Sequence, residues 1–405
     1  MTRQYKDSGI EWIGQIPMDW KMQPLAIYFA ENRKSNSDLG SVNALQFKYG
    51  EIIQKPNNGK ELTDKDRELL EKYTVVSPDD IVVNGLNLNY DLKSLRIAKV
   101  REEGIITSAY IVLRPRNGAN ASFYNYYLKA LDFQKIFHGM GVGIRLTLSY
   151  DELRSMLLAV PSFEEQQRIA DYLDKKCAEI DGLIELQEQM IAQLTDYKQS
   201  VITEAVTKGI NPDAQLVPSG IDRIGDVPEE WKVCQLKRFL LFQNGQDYKE
   251  IEVKEGDGFP VYGSGGIFTY AERYMYDGES VLFGRKGTVN RPLYVNCKFW
   301  TVDTMYYTIP KKDVNCKFMY YVATTLPFDK YSTSTALPSM TQTILGNLKV
   351  AIPAKDEQSV IVEYLDKKCG EIDNLIAVKQ QKIETLKEYK KSIIFECVTG
   401  KKEIN

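Results

Sequence analysis

The chain has 405 residues, 43% of them apolar and 26% charged, with a formal charge of −3; this is the balance of a globular protein long enough for two or more cores. No apolar run of about 18 residues is available to span a bilayer, and the start Met1-Thr-Arg-Gln-Tyr-Lys6 lacks the apolar stretch of a signal peptide, so a cytoplasmic protein is expected. Six cysteines without a CxxC pair read as reduced, mostly buried thiols, and a single histidine, His138, excludes a Ser-His-Asp triad and a His-rich metal site.

Taken in order, the chain opens on Ser8-Gly-Ile-Glu-Trp-Ile-Gly-Gln-Ile-Pro-Met-Asp-Trp20. A first body follows, to residue 160, in which Asp80–Val83 and Ala109–Leu113 predict strands and Phe123–Leu131 a helix. Gly139-Met-Gly-Val-Gly143 reads as tight turns. Residues 161–210 predict one long helix: Pro161 and Ser162 with Glu165 three residues on form a start signal, and Gly209 stands at the close. Leu173, Cys177, Ile180, Ile184, Gln187, Ile191, Leu194, Lys198, Val201 and Ala205 follow coiled-coil steps of four and three.

The opener then recurs as Ser219-Gly-Ile-Asp-Arg-Ile-Gly-Asp-Val-Pro-Glu-Glu-Trp231. It begins a second body, residues 211–352, with strands expected at Ser280–Phe283, Leu293–Val295 and Met305–Ile309, a short helix at Phe318–Thr325, and glycine turns at 262–266 and 284–288. Residues 353–405 repeat the long helix. At an offset of 192, segments 161–208 and 353–400 align without a gap and 25 of 48 positions are identical. Each helix of about 45 residues would be on the order of 65 Å long.

The two bodies follow a similar order of elements, so one α+β fold used twice is expected. Each long helix has a narrow apolar stripe and needs a partner, which its own repeat supplies. Parallel and antiparallel packing are both open; antiparallel packing gives an approximate two-fold axis. A register centred near Gln187 and Lys379 would set Lys198 against Asp366 and Lys390 against Asp174.

Catalytic patterns are missing. Glu252-Val-Lys254 with Asp247 is too tightly spaced for a carboxylate-metal nuclease, and Asn87-Leu-Asn-Tyr90 lacks the prolines of an amino-methyltransferase loop. A binding protein is favoured over an enzyme. Charge is distributed unevenly: residues 84–154 carry +4 and residues 285–349 carry +6, enough for phosphate-facing surfaces.

The opener, the Pro-x-x-x-Glu-Gln start of each helix (Pro161 to Gln166, Pro353 to Gln358), the Tyr-Leu-Asp-x-Lys-x-x-x-Ile-Asp core and Tyr262-Gly-Ser-Gly-Gly-Ile267 with Gly284-Arg-Lys-Gly-Thr288 together resemble the specificity subunits of type I restriction-modification systems. The resemblance implies two similar α/β target recognition domains separated by two long antiparallel coiled-coil helices with pseudo-two-fold symmetry. It implies a non-catalytic scaffold for two methyltransferase subunits and the motor-nuclease restriction subunits, with no cofactor or metal in this chain, and S-adenosylmethionine, ATP and Mg on the partners. Arg223 departs from it, standing where the first opener has Trp12.

Two unlike readers on double-stranded DNA would recognise two short sequences divided by a gap. Side-chain chemistry selects Asn87, Asn89, Lys93, Arg96, Ser108, Tyr110 and Arg145 in the first body as candidate contacts. In the second it selects Tyr262, Ser264, Arg285, Lys286, Thr288, Arg291, Ser334, Thr335 and Gln342. The alternative is a coiled-coil assembly protein whose bodies bind protein or glycan.

Overall fold

A computed structural model describes residues 3–48, 50–56, 63–89, 94–116, 118–143, 146–331 and 338–404. It divides into two compact units, one made of 1–187 with 381–405 and the other of 188–380.

In the first unit the core sheet has four antiparallel strands, β1 (Phe29–Glu31), β2 (Ile81–Val83), β3 (Ile97–Lys99) and β4 (Ile111–Pro115), in the order β1-β4-β2-β3. Their β-branched and aliphatic residues are buried, as a covered sheet requires. Helix α1 (Ala121–Phe133) starts at Asn120, whose side chain accepts from the Phe123 amide, and buries Phe123, Tyr124, Tyr127 and Leu128 against this sheet. The long helix α2 (Phe163–Lys208) follows.

The second unit repeats the plan. Its sheet contains β5 (Leu240–Asn244), β6 (Glu252–Val253), β7 (Phe259–Gly263), β8 (Gly266–Ala271), β9 (Tyr276–Gly284), β10 (Leu293–Thr301) and β11 (Met305–Pro310), in the order β5-β11-β9-β10-β7-β8-β6. The antiparallel run β5-β11-β9-β10 matches β1-β4-β2-β3 strand for strand, so one fold is used twice, and β7, β8 and β6 extend it in the second body only. Asn315 caps helix α3 (Cys316–Thr324) as Asn120 caps α1, and the second long helix is α4 (Lys355–Val398).

Both bodies are closed in the same way. Strand Lys21–Pro24 pairs antiparallel with Leu157–Val160, and Lys232–Gln235 pairs with Lys349–Ile352, so each body's first and last segments are zipped together just before its long helix. The opener tryptophan then locks that junction. Trp20 is fully buried and donates Nε1–H to Glu165 at the start of α2, while a Cβ on Gly400, after the end of α4, would sit 3.1 Å from the Trp20 ring. Trp231 donates to Glu357 at the start of α4, and a Cβ on Gly209, just past α2, would lie 3.3 Å from its ring. Gly209 and Gly400 have φ of +77° and +72°, the left-handed closure that favours glycine at a helix end. Arg223 needs no ring partner: it donates to the Lys349 carbonyl, whereas Trp12 packs edge-on against Tyr127.

Each tryptophan thus sees the start of one helix and the end of the other, which makes the helix segments within each unit antiparallel. In the first unit Leu173, Cys177 and Ile180 pack in one core with Ile393, Ile394 and Cys397. In the second, Val201, Ile202 and Ala205 share a core with Ile361, Leu365 and Cys369. The expected ion pairs are displaced by one heptad. Lys390 meets Asp181 at 2.6 Å and Lys198 meets Asp373 at 2.7 Å, rather than Asp174 and Asp366. Those two aspartates are taken by the bodies: Asp174 accepts from Tyr126 on α1 at 2.7 Å, and Asp366 accepts from Tyr321 on α3 at 2.6 Å and from Lys317.

Replacing Lys198 by Asp should lower stability by at most about 1 kcal/mol, because the pair is half exposed, with side chains 29% and 57% accessible. Adding Asp373→Lys should restore the loss and adding Asp366→Lys should not; thermal melts of the single and both double variants check the heptad.

Candidate nucleic-acid interface

In each body some of the candidate contacts lie at one end of the shared four-strand core. In the second body β9 ends at Gly284, opposite Met305 at the start of β11. A Cβ on Gly284 would lie 2.2 Å from the Thr288 carbonyl, so only glycine allows the chain to fold back this tightly. The loop that follows is pinned by backbone hydrogen bonds: the Arg285 and Lys286 amides donate to Thr304, Gly287 to Pro338, and Met340 to Arg285. Val289 is buried beneath it. Lys286, Thr288 and Arg291 are exposed, and Arg285 is half-buried with its guanidinium donating to the Asp303 carbonyl at 3.3 Å. A loop whose backbone is already fixed has only its side chains to order on binding.

Gln342 donates to Asn244 at the end of β5, on the same side of the sheet. Asn244 and Gln246 are themselves exposed amides there, and were not singled out from the sequence; Asn244-Gly245 is a turn dipeptide whose glycine packs against the Val302 carbonyl and could have marked them. Tyr262 and Ser264 lie on the β7–β8 hairpin. The Tyr262 ring packs edge-on to Phe299, and burial, with a smaller contribution from Cys297, pushes its hydroxyl up to about 12. Ser264 occupies the turn before Ile267 and Phe268, two apolar side chains left exposed at the hairpin tip. Ser334 and Thr335 lie outside the described residues.

In the first body the same sheet end carries Asn84–Asn89, after β2, and the Thr107–Tyr110 turn, before β4, brought together by the Ile111–Val83 pairing. Asn87 and Asn89 are exposed, and Asn87 sits at φ +51° in the left-handed region that asparagine tolerates. Ser108 is exposed; Tyr110 is half-buried edge-on to Phe47, and burial raises its pKa. Arg96 is corrected from contact to support: it is 2% exposed and turned inward, its guanidinium donating to the carbonyls of Asn84 and Leu86 at 3.2 and 2.8 Å. It thereby fixes the loop that bears the two asparagines. Lys93 and Arg145 lie outside the described residues.

Behind Arg96, its backbone amide donates to Asp132 Oδ2 at 2.6 Å, and Asp132 is fully buried with Oδ1 unpartnered among the described residues. Burial raises the Asp132 pKa, against smaller opposing contributions from the Arg96 amide and neighbouring cations. Among the described residues no group of three or more His, Cys, Asp or Glu side chains is placed to hold a metal ion, and no helix is long and apolar enough to cross a membrane.

The repeated core, with different polar loops in each copy, agrees with what known proteins display. The family model for the type I restriction modification DNA specificity domain matches residues 43–196 and again 228–388, and the chain belongs to that family. It is 23% identical over 364 residues to the type I restriction enzyme MjaVIII specificity subunit of Methanocaldococcus jannaschii, covering 82% of each chain. Its fold is similar to a chain solved in work on complex assembly and conformational transition of the type I R-M system, with TM-score 0.73, 15% identity, and 95% and 98% of the two chains covered. It is also similar to the HsdS subunit of Thermoanaerobacter tengcongensis, with TM-score 0.51, 16% identity, and 97% and 99% covered. The protein- or glycan-binding assembly reading is not favoured by these relatives.

A folded-state pKa above the unfolded one means that Asp132 favours folding at low pH and loses that contribution as pH rises past the ordinary carboxylate range. Asp132→Asn, which keeps the acceptor for the Arg96 amide, should therefore gain more stability at pH 7 than at pH 4. Urea melts at the two pH values measure the difference.

Proposed function

We propose that this chain is the non-catalytic DNA-recognition subunit of a type I restriction-modification complex in the cytoplasm, reading a bipartite, asymmetric site. The observation that carries the reading is the placement of chemically different loops at the same end of the same core in both bodies. Asn87 and Asn89 in the first body suit the paired acceptor and donor of adenine; Arg285 in the second suits guanine, with Lys286 and Arg291 beside it for phosphate. Equal frames with unequal tips read two unlike half-sites, and a gap of unspecified bases separates them because no contact loop belongs to the helices.

Partner subunits fit the helices. Leu183 and Leu186 on α2 are about half exposed, and so are their repeat equivalents Leu375 and Val378 on α4, an unusual exposure of large apolar side chains. Two methyltransferase subunits would cover these repeated positions, with restriction subunits joining for cleavage. S-adenosylmethionine, ATP and Mg belong to those partners in this reading, and so do the methylation and cleavage steps.

Arg285→Ala, assayed in complex with the methyltransferase partner, should relax base preference within one half-site at a cost of about 1–3 kcal/mol and leave the other half-site unchanged. Lys286→Ala should instead weaken binding to all sequences alike and flatten the salt dependence. Binding to a panel of single-base substitutions at two salt concentrations separates the effects; an Arg285→Ala profile identical to the unsubstituted protein would remove Arg285 from the reading loop.

A further inference from the structure

Beside the Arg285 loop two carboxamides from distant parts of the second body are joined: Gln342 Nε2 donates to Asn244 Oδ1 at 3.1 Å. Both rest on backbone that is already fixed. Asn244 is the last residue of β5, set opposite Tyr306 on β11, and the following amide, Gly245, donates to Met305, the strand partner of Gly284 at the root of the loop. Gln342 opens the short helix Gln342–Asn347, and Met340 just before it donates its amide to the Arg285 carbonyl. The pair therefore shares its anchorage with the arginine loop. Asn244 is exposed and Gln342 half-buried, and among the described residues neither side chain has another hydrogen-bond partner. Water competes for both groups, so the bond between them adds little to stability.

The first body provides an internal control. Counting from the opener tryptophans Trp20 and Trp231, Asn244 corresponds to Arg33; counting from the helix caps Ser149 and Thr341, Gln342 corresponds to Tyr150. There the two positions serve separate ends: Arg33 pairs with Glu31 at 2.8 Å, and Tyr150 donates to the Phe29 carbonyl at 2.8 Å. The amide pair is thus a property of the second body rather than of the repeated frame, as a reader of one half-site has to be.

We propose that Asn244 and Gln342 act together as one reader of adenine in the half-site recognised by the second body, an inference that rests on this chain being a DNA-recognition subunit. Whichever way the two carboxamides are turned, the bond between them uses the NH2 of one and the oxygen of the other, and leaves the oxygen of the first and the NH2 of the second free. The free groups are always one acceptor and one donor. Adenine is the one base whose major-groove edge answers both, with N7 accepting and the N6 amino group donating; guanine offers two acceptors there, thymine one acceptor and a methyl group, and cytosine a single donor. Side chains already held to each other also have less freedom to lose on binding than two separate ones. With Arg285 suited to guanine on the adjoining loop, the second half-site should contain an adenine near a guanine.

The test uses the full chain in complex with its methyltransferase partner, binding duplexes in which each position of the second half-site carries each of the four bases in turn. Asn244→Asp and Gln342→Glu keep the size of the side chain, and each turns the donor–acceptor pair into two acceptors. Each should lower the preference for adenine over cytosine by about fivefold or more, at one and the same position, because cytosine presents the amino donor that two acceptors suit. The added charge weakens binding to every duplex alike, so the ratio between bases is the readout. Preference at the position read by Arg285 should persist in both variants, which shows that the loop is intact. Unchanged ratios in both variants, a change in Asn244→Asp alone, or changes at two different positions overturn the joint reader while leaving the recognition function standing. Should Arg285→Ala as well leave every ratio in that half-site unchanged, the recognition function falls with it.

Discussion

Two indole N–H groups determine how everything else is held. Trp20 and Trp231 each donate to a glutamate on the first turn of a long helix, and each presses on the glycine that ends the other helix. Glu165 is buried and Glu357 half-buried, and an unmade hydrogen bond at a buried carboxylate costs on the order of 1–3 kcal/mol, so the start of one helix and the end of its partner are held at the same point. The surrounding contacts reinforce it in matched pairs. Gln166 and Gln358, both buried, accept from the backbone amides of the N-cap residues Asn120 and Asn315, and Tyr126 and Tyr321 reach Asp174 and Asp366. Helix-start, body helix and opener are therefore one repeated joint.

That joint explains how the bodies diverge without loss of the fold. The hydrogen bonds of the joint come from the opener and one capped helix, and the loops at the far sheet end are not among its described partners. The second body can add three strands, and the first can place asparagines where the second has glycine-flanked arginine, at no cost to the frame.

The repeated features were legible in the sequence because duplication makes a pattern visible that a single copy would hide. Both openers, both helices, their glycine ends and the short helices at Phe123 and Phe318 could be read directly. The helix register was missed by seven residues for a physical reason: a stripe of Leu, Ile and Cys repeating every seven positions packs almost equally well one heptad along, and Asp174 and Asp366 attract lysine as well as Asp181 and Asp373 do. The tyrosines of α1 and α3, distant in sequence, take up Asp174 and Asp366 and so favour the observed pairs. At the interface, the glycines around Arg285 signalled a tightly folded loop correctly. Arg96 could not be told from a surface arginine, because the carbonyls that draw it inward belong to a loop whose shape it creates.

The most direct measurement of the account is a base-resolution map of methylated adenines in DNA from a host expressing this chain with its methyltransferase partner. Two short, unlike sequences at a constant separation, with no preference among the bases between them, are the result the account requires. An uninterrupted sequence, or two identical inverted halves, would contradict the claim that two differently tipped bodies read DNA from one repeated frame.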